Sequence, residues 1–225
     1  MRKFYKMTVG IATAGLLVAG LAACAPTAET PSESPSASEE AAPEPIASIP
    51  ALDGVDTQVT LDAGFVEALG TLGLTPGVLG TATLSDAGVL AFPITGGNVD
   101  YYDPEASYRP YVQGEIDHDG SGISLTAGDT VVELTDFRID PGTSQLFGTV
   151  TANGEKVGDD IYIFNLDGST LNPLATDADG NAVLEGTTVL VSPDAAGLLN
   201  STFGTDAVTD QLVVGIAKIT AKAAS

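Results

Sequence analysis

Short stretches of alternating apolar and polar residues cover most of the chain after residue 50. Residues 57–61, Thr-Gln-Val-Thr-Leu, show the alternation of a half-buried β-strand. Similar stretches follow, and Gly, Asp, Asn and Pro separate them, as in tight turns. The pattern predicts strands at 57–61, 78–84, 89–94, 99–102, 111–117, 122–126, 130–139, 145–152, 161–166, 187–191 and 211–220. Regularly spaced short strands favour a mostly β fold, a single antiparallel β-sandwich or barrel-like domain.

Two short helices interrupt this pattern. Asp62 precedes apolar residues spaced three and four apart, so we predict that it caps a helix ending near 75–77. Ser192 followed by Pro193 has the form of an N-cap with proline in the first turn. This second helix is predicted to stop at Gly204. The two helices are expected to cover the ends or edges of the β core.

The N-terminal residues have the composition of an export signal. Residues 1–7 carry three positive charges, and residues 8–23 carry none and are mostly small or apolar. A basic start, an apolar middle and a small-residue end are typical of a secretory signal peptide. The apolar run is shorter than the ~20 residues that a bilayer-spanning helix needs. We therefore predict that residues 1–23 are removed.

The end of this run, Leu21-Ala22-Ala23-Cys24, resembles the lipobox of bacterial lipoproteins. The resemblance implies attachment of a diacylglycerol to Cys24 and cleavage just before it. Two acyl chains give stable membrane anchoring where one does not. Residues 24–50 are rich in Pro, Ser, Ala and Glu and predict a disordered, extended tether. The expected product is lipid-anchored to the cell membrane and displays the domain 51–225 on the extracytoplasmic side.

Charge narrows the partners of this domain. The whole chain has eight basic and 30 acidic residues, and three of the basic ones lie in residues 1–23. A strongly acidic protein lacks the clustered Lys and Arg that bind phosphate backbones, so nucleic acid is not expected as a partner. The expected contacts are the membrane, through the lipid, and a small-molecule or cell-wall ligand. Cys24 is the only cysteine, so its lipidation excludes a disulfide, a catalytic thiol and a thiolate metal site.

The densest polar cluster, residues 115–122, contains His118, the only histidine of the chain. One interpretation is a polar hairpin turn between two strands, because Asp-Gly and Ser-Gly favour turns. A second is a calcium site, since Asp117, Asp119 and Ser121 have the one-three-five spacing of a calcium loop. The twelfth position of that loop is Gly128 rather than a glutamate, which weakens the calcium hypothesis.

A third interpretation rests on a family resemblance. The segment 112–120 with His118, and the earlier segment 90–97, Leu-Ala-Phe-Pro-Ile-Thr-Gly-Gly, resemble HtaA-type haem-binding domains of actinobacterial envelope proteins. The resemblance covers about residues 81–150 and implies a β-rich domain that binds haem through a Tyr supported by a His. His118 matches the His segment. No Tyr occupies the early helix at 64–69, so the iron ligand does not carry over.

Four tyrosines form the other candidate binding surface, Tyr101, Tyr102, Tyr108 and Tyr111. Tyrosine rings with proline in a loop can line a binding patch for sugar, peptide or haem. The alternative is a loop whose rings pack on the edge of the sheet.

No catalytic motif stands out, because no phosphate-binding loop, dinucleotide fingerprint or nucleophile elbow is present. We therefore expect no enzyme activity and no assigned catalytic residues. Three functions remain. The first is a non-catalytic binding or structural domain without a cofactor. The second is haem binding and uptake, and the third is a hydrolase with paired carboxylates.

Overall fold

The computed structural model describes residues 42–224. The predicted signal peptide, Cys24 and the tether up to residue 41 lie outside this range. The elements are β1 (Ala47–Ile49), β2 (Leu52–Leu61), α1 (Ala63–Leu72), β3 (Thr75–Gly80), β4 (Thr83–Leu84), β5 (Val89–Pro93), β6 (Gly96–Tyr101), β7 (Val112–Ala127), β8 (Thr130–Asp140), β9 (Gln145–Ala152), β10 (Glu155–Asp167), β11 (Ala175–Thr176), β12 (Ala182–Val191), α2 (Pro193–Phe203) and β13 (Val213–Ala223). Strand β1 lies within the last residues of the predicted tether 24–50, where it pairs with β6. Neither helix is long and apolar enough to cross a membrane.

All of these strands belong to one antiparallel sheet. Its order is β1-β6-β7-β8-β9-β10-β12-β13-β2-β5-β4, with β3 also pairing with β7 and β11 with β12. The predicted fold class, mostly β with a barrel-like antiparallel domain and two short helices, is confirmed in the form of a single curled sheet.

The sheet curls because two consecutive strands, β5 and β6, lie near its opposite edges. Strand β5 pairs with β2, and β6, only two residues later, pairs with β7. Between them, the Ile94 N–H donates to the Val55 carbonyl at 3.2 Å, and the Thr95 N–H donates to the Asp117 carbonyl at 2.8 Å. The link Ile94–Thr95 therefore holds the two ends of the sheet together.

The helices plug one end of the curled sheet. Leu69 of α1 and Leu199 of α2 line the same small void, of about 40 Å³, together with Val150 and Ile163 from the sheet. All four of these side chains are buried. This end of the domain is thus a packed core, as the apolar faces of the two helices predict.

The predicted turn inside residues 115–122 is wrong, because β7 runs without interruption from Val112 to Ala127. The register of β7 against β8 shifts between His118 and Gly122, which marks a β-bulge. The bulge carries the Asp-Gly and Ser-Gly pairs that suggested a turn. Gly80 of β3 approaches so closely that a Cβ there would lie 1.9 Å from the Gly120 carbonyl oxygen. The bulge therefore serves strand packing rather than chain reversal.

The helix-capping predictions hold at both N termini. An Asp62 carboxylate oxygen accepts a hydrogen bond from the Gly64 N–H at 2.8 Å. The Ser192 hydroxyl oxygen accepts from the Ala195 N–H at 3.0 Å. The first helix ends at Leu72 and is capped by Gly73 in the left-handed conformation; it does not reach residues 75–77, which begin β3. The second ends at Gly204, as predicted.

His118 joins opposite walls of the curled sheet. Its side chain is 1% exposed, and its Nε2 lies 2.8 Å from the Thr57 hydroxyl oxygen on β2. Its Nδ1 lies 3.3 Å from the Phe137 carbonyl oxygen on the neighbouring strand β8. Burial lowers the pKa of His118 to about 4, with the hydrogen bond to Phe137 acting weakly in the opposite direction. The imidazole is therefore neutral at physiological pH.

Replacing Ser192 by alanine is expected to lower the free energy of unfolding by about 2 kcal/mol. The substitution removes the helix cap and also leaves the Tyr162 carbonyl, to which the Ser192 hydroxyl donates at 2.7 Å, without its partner. Urea unfolding measures the change. Ser201→Ala in the same helix is the control, because Ser201 is exposed and is expected to change stability by less than about 0.5 kcal/mol.

Stability should fall on acidification partly through His118. The unfolded chain takes up a proton near pH 6.5 and the folded chain only near pH 4, so the unfolded state is favoured as pH falls between these values. His118 makes its full contribution to the free energy of unfolding above pH 6.5. Acidification to about pH 4 removes about 3 kcal/mol of that free energy. Urea unfolding of the native protein and of His118→Phe at pH 7 and pH 4 measures it. Equal pH dependence of the two proteins would contradict this assignment.

Candidate functional site

A large cavity occupies the interior of the curled sheet, at the end away from the helices. Its volume is about 630 Å³, within the range of ~300–1,000 Å³ typical of small-molecule sites. The wall is built mainly from aliphatic and aromatic side chains on the inward faces of the strands. They include Val59, Leu90, Phe92, Val99, Ile116, Phe137, Ile139, Leu146, Phe164, Val189, Val214 and Ile219.

The alternation along each strand explains this wall. On β5, Leu90 and Phe92 are buried and line the cavity, whereas Ala91 between them does not. Side chains of successive residues point to opposite faces of a strand, so every second residue turns inward. A closed curl of this width is not filled by its own side chains, and a space remains.

Polar side chains are few: besides Tyr101, Tyr111 and the half-buried Thr187, they lie in two places. Thr57 and His118 lie inside the wall, and both are buried. Arg109, Ser144 and Ser169 line the cavity but are exposed, so they mark its mouth. No Asp or Glu of the described residues lines the cavity. The cavity therefore offers no carboxylate pair of the kind that a glycoside hydrolase uses.

The hydrogen bonds of His118 determine its tautomer. A carbonyl oxygen only accepts, so the contact with Phe137 requires that Nδ1 carries the proton. The lone pair of Nε2 then accepts the hydroxyl proton of Thr57. Both ring nitrogens are thus engaged within the fold, and an incoming metal would have to displace Thr57 from Nε2.

The four predicted tyrosines fall into two groups. Tyr101 and Tyr111 line the cavity, with ring centroids 5.9 Å apart in an edge-to-face arrangement. Tyr102 and Tyr108 pack on each other at 4.7 Å and do not line it. The aromatic stretch is therefore both a wall of the cavity and a packed loop.

The three predicted calcium ligands, Asp117, Asp119 and Ser121, differ in their exposure to solvent. Ser121 is 1% exposed, and its hydroxyl donates to the His118 carbonyl at 3.0 Å. Asp119 is exposed on the bulge, and Asp117 is half-buried. Partial burial raises the pKa of Asp117, and the charges of Glu115 and Asp119 add to that effect. Within residues 42–224, no three His, Cys, Asp or Glu side chains come close enough together to hold a metal ion.

Thr57 and Arg109 are site residues that sequence reasoning missed. Thr57 lies in a predicted strand two residues before Val59, and alternation places both on one face. Alternation therefore shows which face of the strand Thr57 occupies. It does not show the hydrogen-bond partner of Thr57, which is His118, 61 residues away in sequence. Arg109 could have been noticed in the sequence for another reason, because it is the only basic residue in the tyrosine-rich stretch 101–111.

Comparisons with known proteins identify the fold but not a family. No protein-family model matches the chain, and no curated protein shows significant sequence similarity to it. The C-terminal domain of HtaA from Corynebacterium glutamicum is 15% identical, with a TM-score of 0.49 over 78% of this chain and 99% of that one. The heme-binding protein HtaB from Corynebacterium glutamicum is 6% identical, with a TM-score of 0.50 over 78% of this chain and 96% of that one. The similarity to HtaB supports the predicted HtaA-type resemblance at the level of the fold.

Proposed function

We propose that this protein is a lipid-anchored envelope protein that binds a large, mostly apolar ligand, haem, inside its curled sheet. The observation that carries the proposal is the cavity of about 630 Å³ with its apolar wall. Apolar surface without partner atoms forfeits dispersion contacts, and a ligand of matching shape restores them. An apolar cavity also holds water poorly, so little hydration opposes ligand entry.

The chemistry of the wall favours binding over catalysis. His118 and the Thr57 hydroxyl lie in the inner wall and are hydrogen-bonded to each other. Proton transfer to a substrate requires a group within hydrogen-bond reach and with a pKa near the working pH. The pKa of His118, about 4, is too low for a base at neutral pH. This pair of the inner wall is thus poorly suited to proton transfer at neutral pH.

Haem is the ligand favoured by two independent observations. The fold resembles that of HtaB, whose name describes it as heme-binding. The cavity wall also holds Tyr101 and Tyr111, and a tyrosine oxygen can ligate haem iron. These two tyrosines are better candidates than Tyr102 and Tyr108, which pack against each other outside the wall.

Hemin added to the purified protein is expected to bind at micromolar concentration and to give a Soret band distinct from that of free hemin. Ala217→Phe should weaken binding at least tenfold, because Ala217 is buried in the cavity wall and a larger ring would occupy the ligand's space. Ala91→Phe is the matched control. Ala91 lies on β5 with its side chain on the face of the sheet away from the cavity, so this variant should leave binding unchanged. Absorbance titration measures both.

Tyrosine variants in the same titration identify the iron ligand. Tyr101→Phe or Tyr111→Phe should shift or abolish the Soret band, whereas Tyr108→Phe should not. A native protein without a Soret band would reject haem, and equal titrations of Ala217→Phe and the native protein would reject the cavity as its site.

The anchor is the second part of the proposal and rests on the sequence Leu21-Ala22-Ala23-Cys24. We expect Cys24→Ser to move the protein from the membrane fraction to the soluble or secreted fraction, because the thioether to the diacylglycerol can no longer form. Cell fractionation with immunoblotting measures the distribution. Ser32→Ala, within the proposed tether, is the control. A Cys24→Ser protein that stays in the membrane fraction would refute the lipid anchor.

A further inference from the structure

Arg109 is the basic residue at the mouth of the cavity. The chain has five basic residues after residue 23, Arg109, Arg138, Lys156, Lys218 and Lys222. Of these, only Arg109 lines the cavity of the described domain. Arg138 pairs with Asp160 and Glu115, and Lys156 pairs with Asp159. None of the ion pairs within residues 42–224 involves Arg109.

The guanidinium of Arg109 is held in place by its own loop. Its Nη1 donates to the Ala106 carbonyl at 2.6 Å and to the Tyr108 carbonyl at 2.7 Å. Its Nη2 donates to the Pro104 carbonyl at 2.8 Å. The guanidinium carbon also lies 5.4 Å from the centroid of the Tyr111 ring, in cation–π geometry. An arginine fixed in this way loses little further conformational entropy when it binds a ligand.

The hydrogen bonds of this loop leave part of the guanidinium available. A guanidinium has five N–H donors, and three of those of Arg109 reach carbonyl oxygens. The Nε–H and the second N–H of Nη2 have no acceptor in the described part of the chain. Carbonyl oxygens satisfy donors but do not cancel a full charge, so the site retains a cation with donors to offer. Carboxylates match the planar geometry of arginine donors and bind them with charge assistance.

We infer that Arg109 binds the carboxylate of a ligand whose apolar body fills the cavity. This inference rests on the proposed function, because it requires a ligand in the cavity. The ligand class is an amphipathic carboxylate, with its acidic group at the mouth beside Arg109 and its body against the apolar wall. Haem propionates and the carboxylate of a long-chain fatty acid both supply this chemistry.

Paired ligands that differ only in charge test the inference. Hemin is compared with hemin dimethyl ester by absorbance, and palmitic acid with methyl palmitate by displacement of the neutral dye Nile red from the cavity. Arg109→Gln should weaken binding of the acids about tenfold, the loss of one charge-assisted contact, and leave the esters unchanged. Arg138→Gln is the matched control, because Arg138 pairs with Asp160 and does not line the cavity. It should change neither class of ligand.

The outcomes distinguish the inference about Arg109 from the proposed function. If neither acids nor esters bind the native protein, the cavity is not a binding site and the proposed function fails. If acids and esters bind but Arg109→Gln weakens neither, only the inference about Arg109 is overturned. Equal loss of acids and esters in Arg109→Gln would show that Arg109 merely shapes its loop, which also overturns it. Among the acids, binding of hemin supports haem as the ligand, whereas binding of palmitic acid alone overturns haem and makes the ligand an acyl chain.

Discussion

The backbone hydrogen bonds around Ile94 and Thr95 are the constraint from which the other features follow. They connect β2, near one edge of the sheet, to β7, near the other. A sheet joined in this way has an inside and an outside, and alternation along each strand then fills the inside with apolar side chains. An open sheet of the same sequence would expose this apolar face to water. The closure therefore converts an apolar surface into the wall of a cavity that is open at one end.

The two ends of this curl differ because the helices occupy only one of them. Leu69 and Leu199 complete a packed core there, while the other end is surrounded by loops that carry Arg109, Ser144 and Ser169. Apolar side chains thus fill the helical end, and exposed polar side chains surround the open end. In many proteins a rigid scaffold carries its binding residues on loops, and here the loops at the open end carry the exposed polar groups.

Local signals in the sequence predicted the parts of the fold that depend on local interactions. Asp62 and Ser192 cap their helices through bonds to residues two or three positions away, which a sequence displays directly. Strand alternation likewise predicted most of the sheet. The bulge in β7 was not predictable, because the Asp-Gly and Ser-Gly pairs have turn propensity in isolation. There, β3 and β8 pair with the strand on both sides and override that propensity.

The candidate site depended even more on long-range contacts. The sequence marks His118 as a candidate, but the burial of His118 against Thr57 follows from the closure of the sheet and not from its neighbours in sequence. The four tyrosines were predicted as one surface, and the loop divides them between the wall and its own packing. A sequence shows which chemical groups are available, whereas the register of distant strands decides which of them meet.

The neutrality of His118 bears on how a ligand would be oriented. A charged imidazole at the inner wall would compete with Arg109 for an acidic group, and a ligand could then enter in either direction. Burial instead keeps His118, and with it the inner wall, uncharged at physiological pH. A carboxylate placed there would lose its hydration without gaining a counter-ion, which is strongly unfavourable. At the mouth it keeps contact with water and gains the guanidinium of Arg109. The same burial that lowers the pKa of His118 thus favours one orientation, with the apolar body inside and the acidic group at the opening.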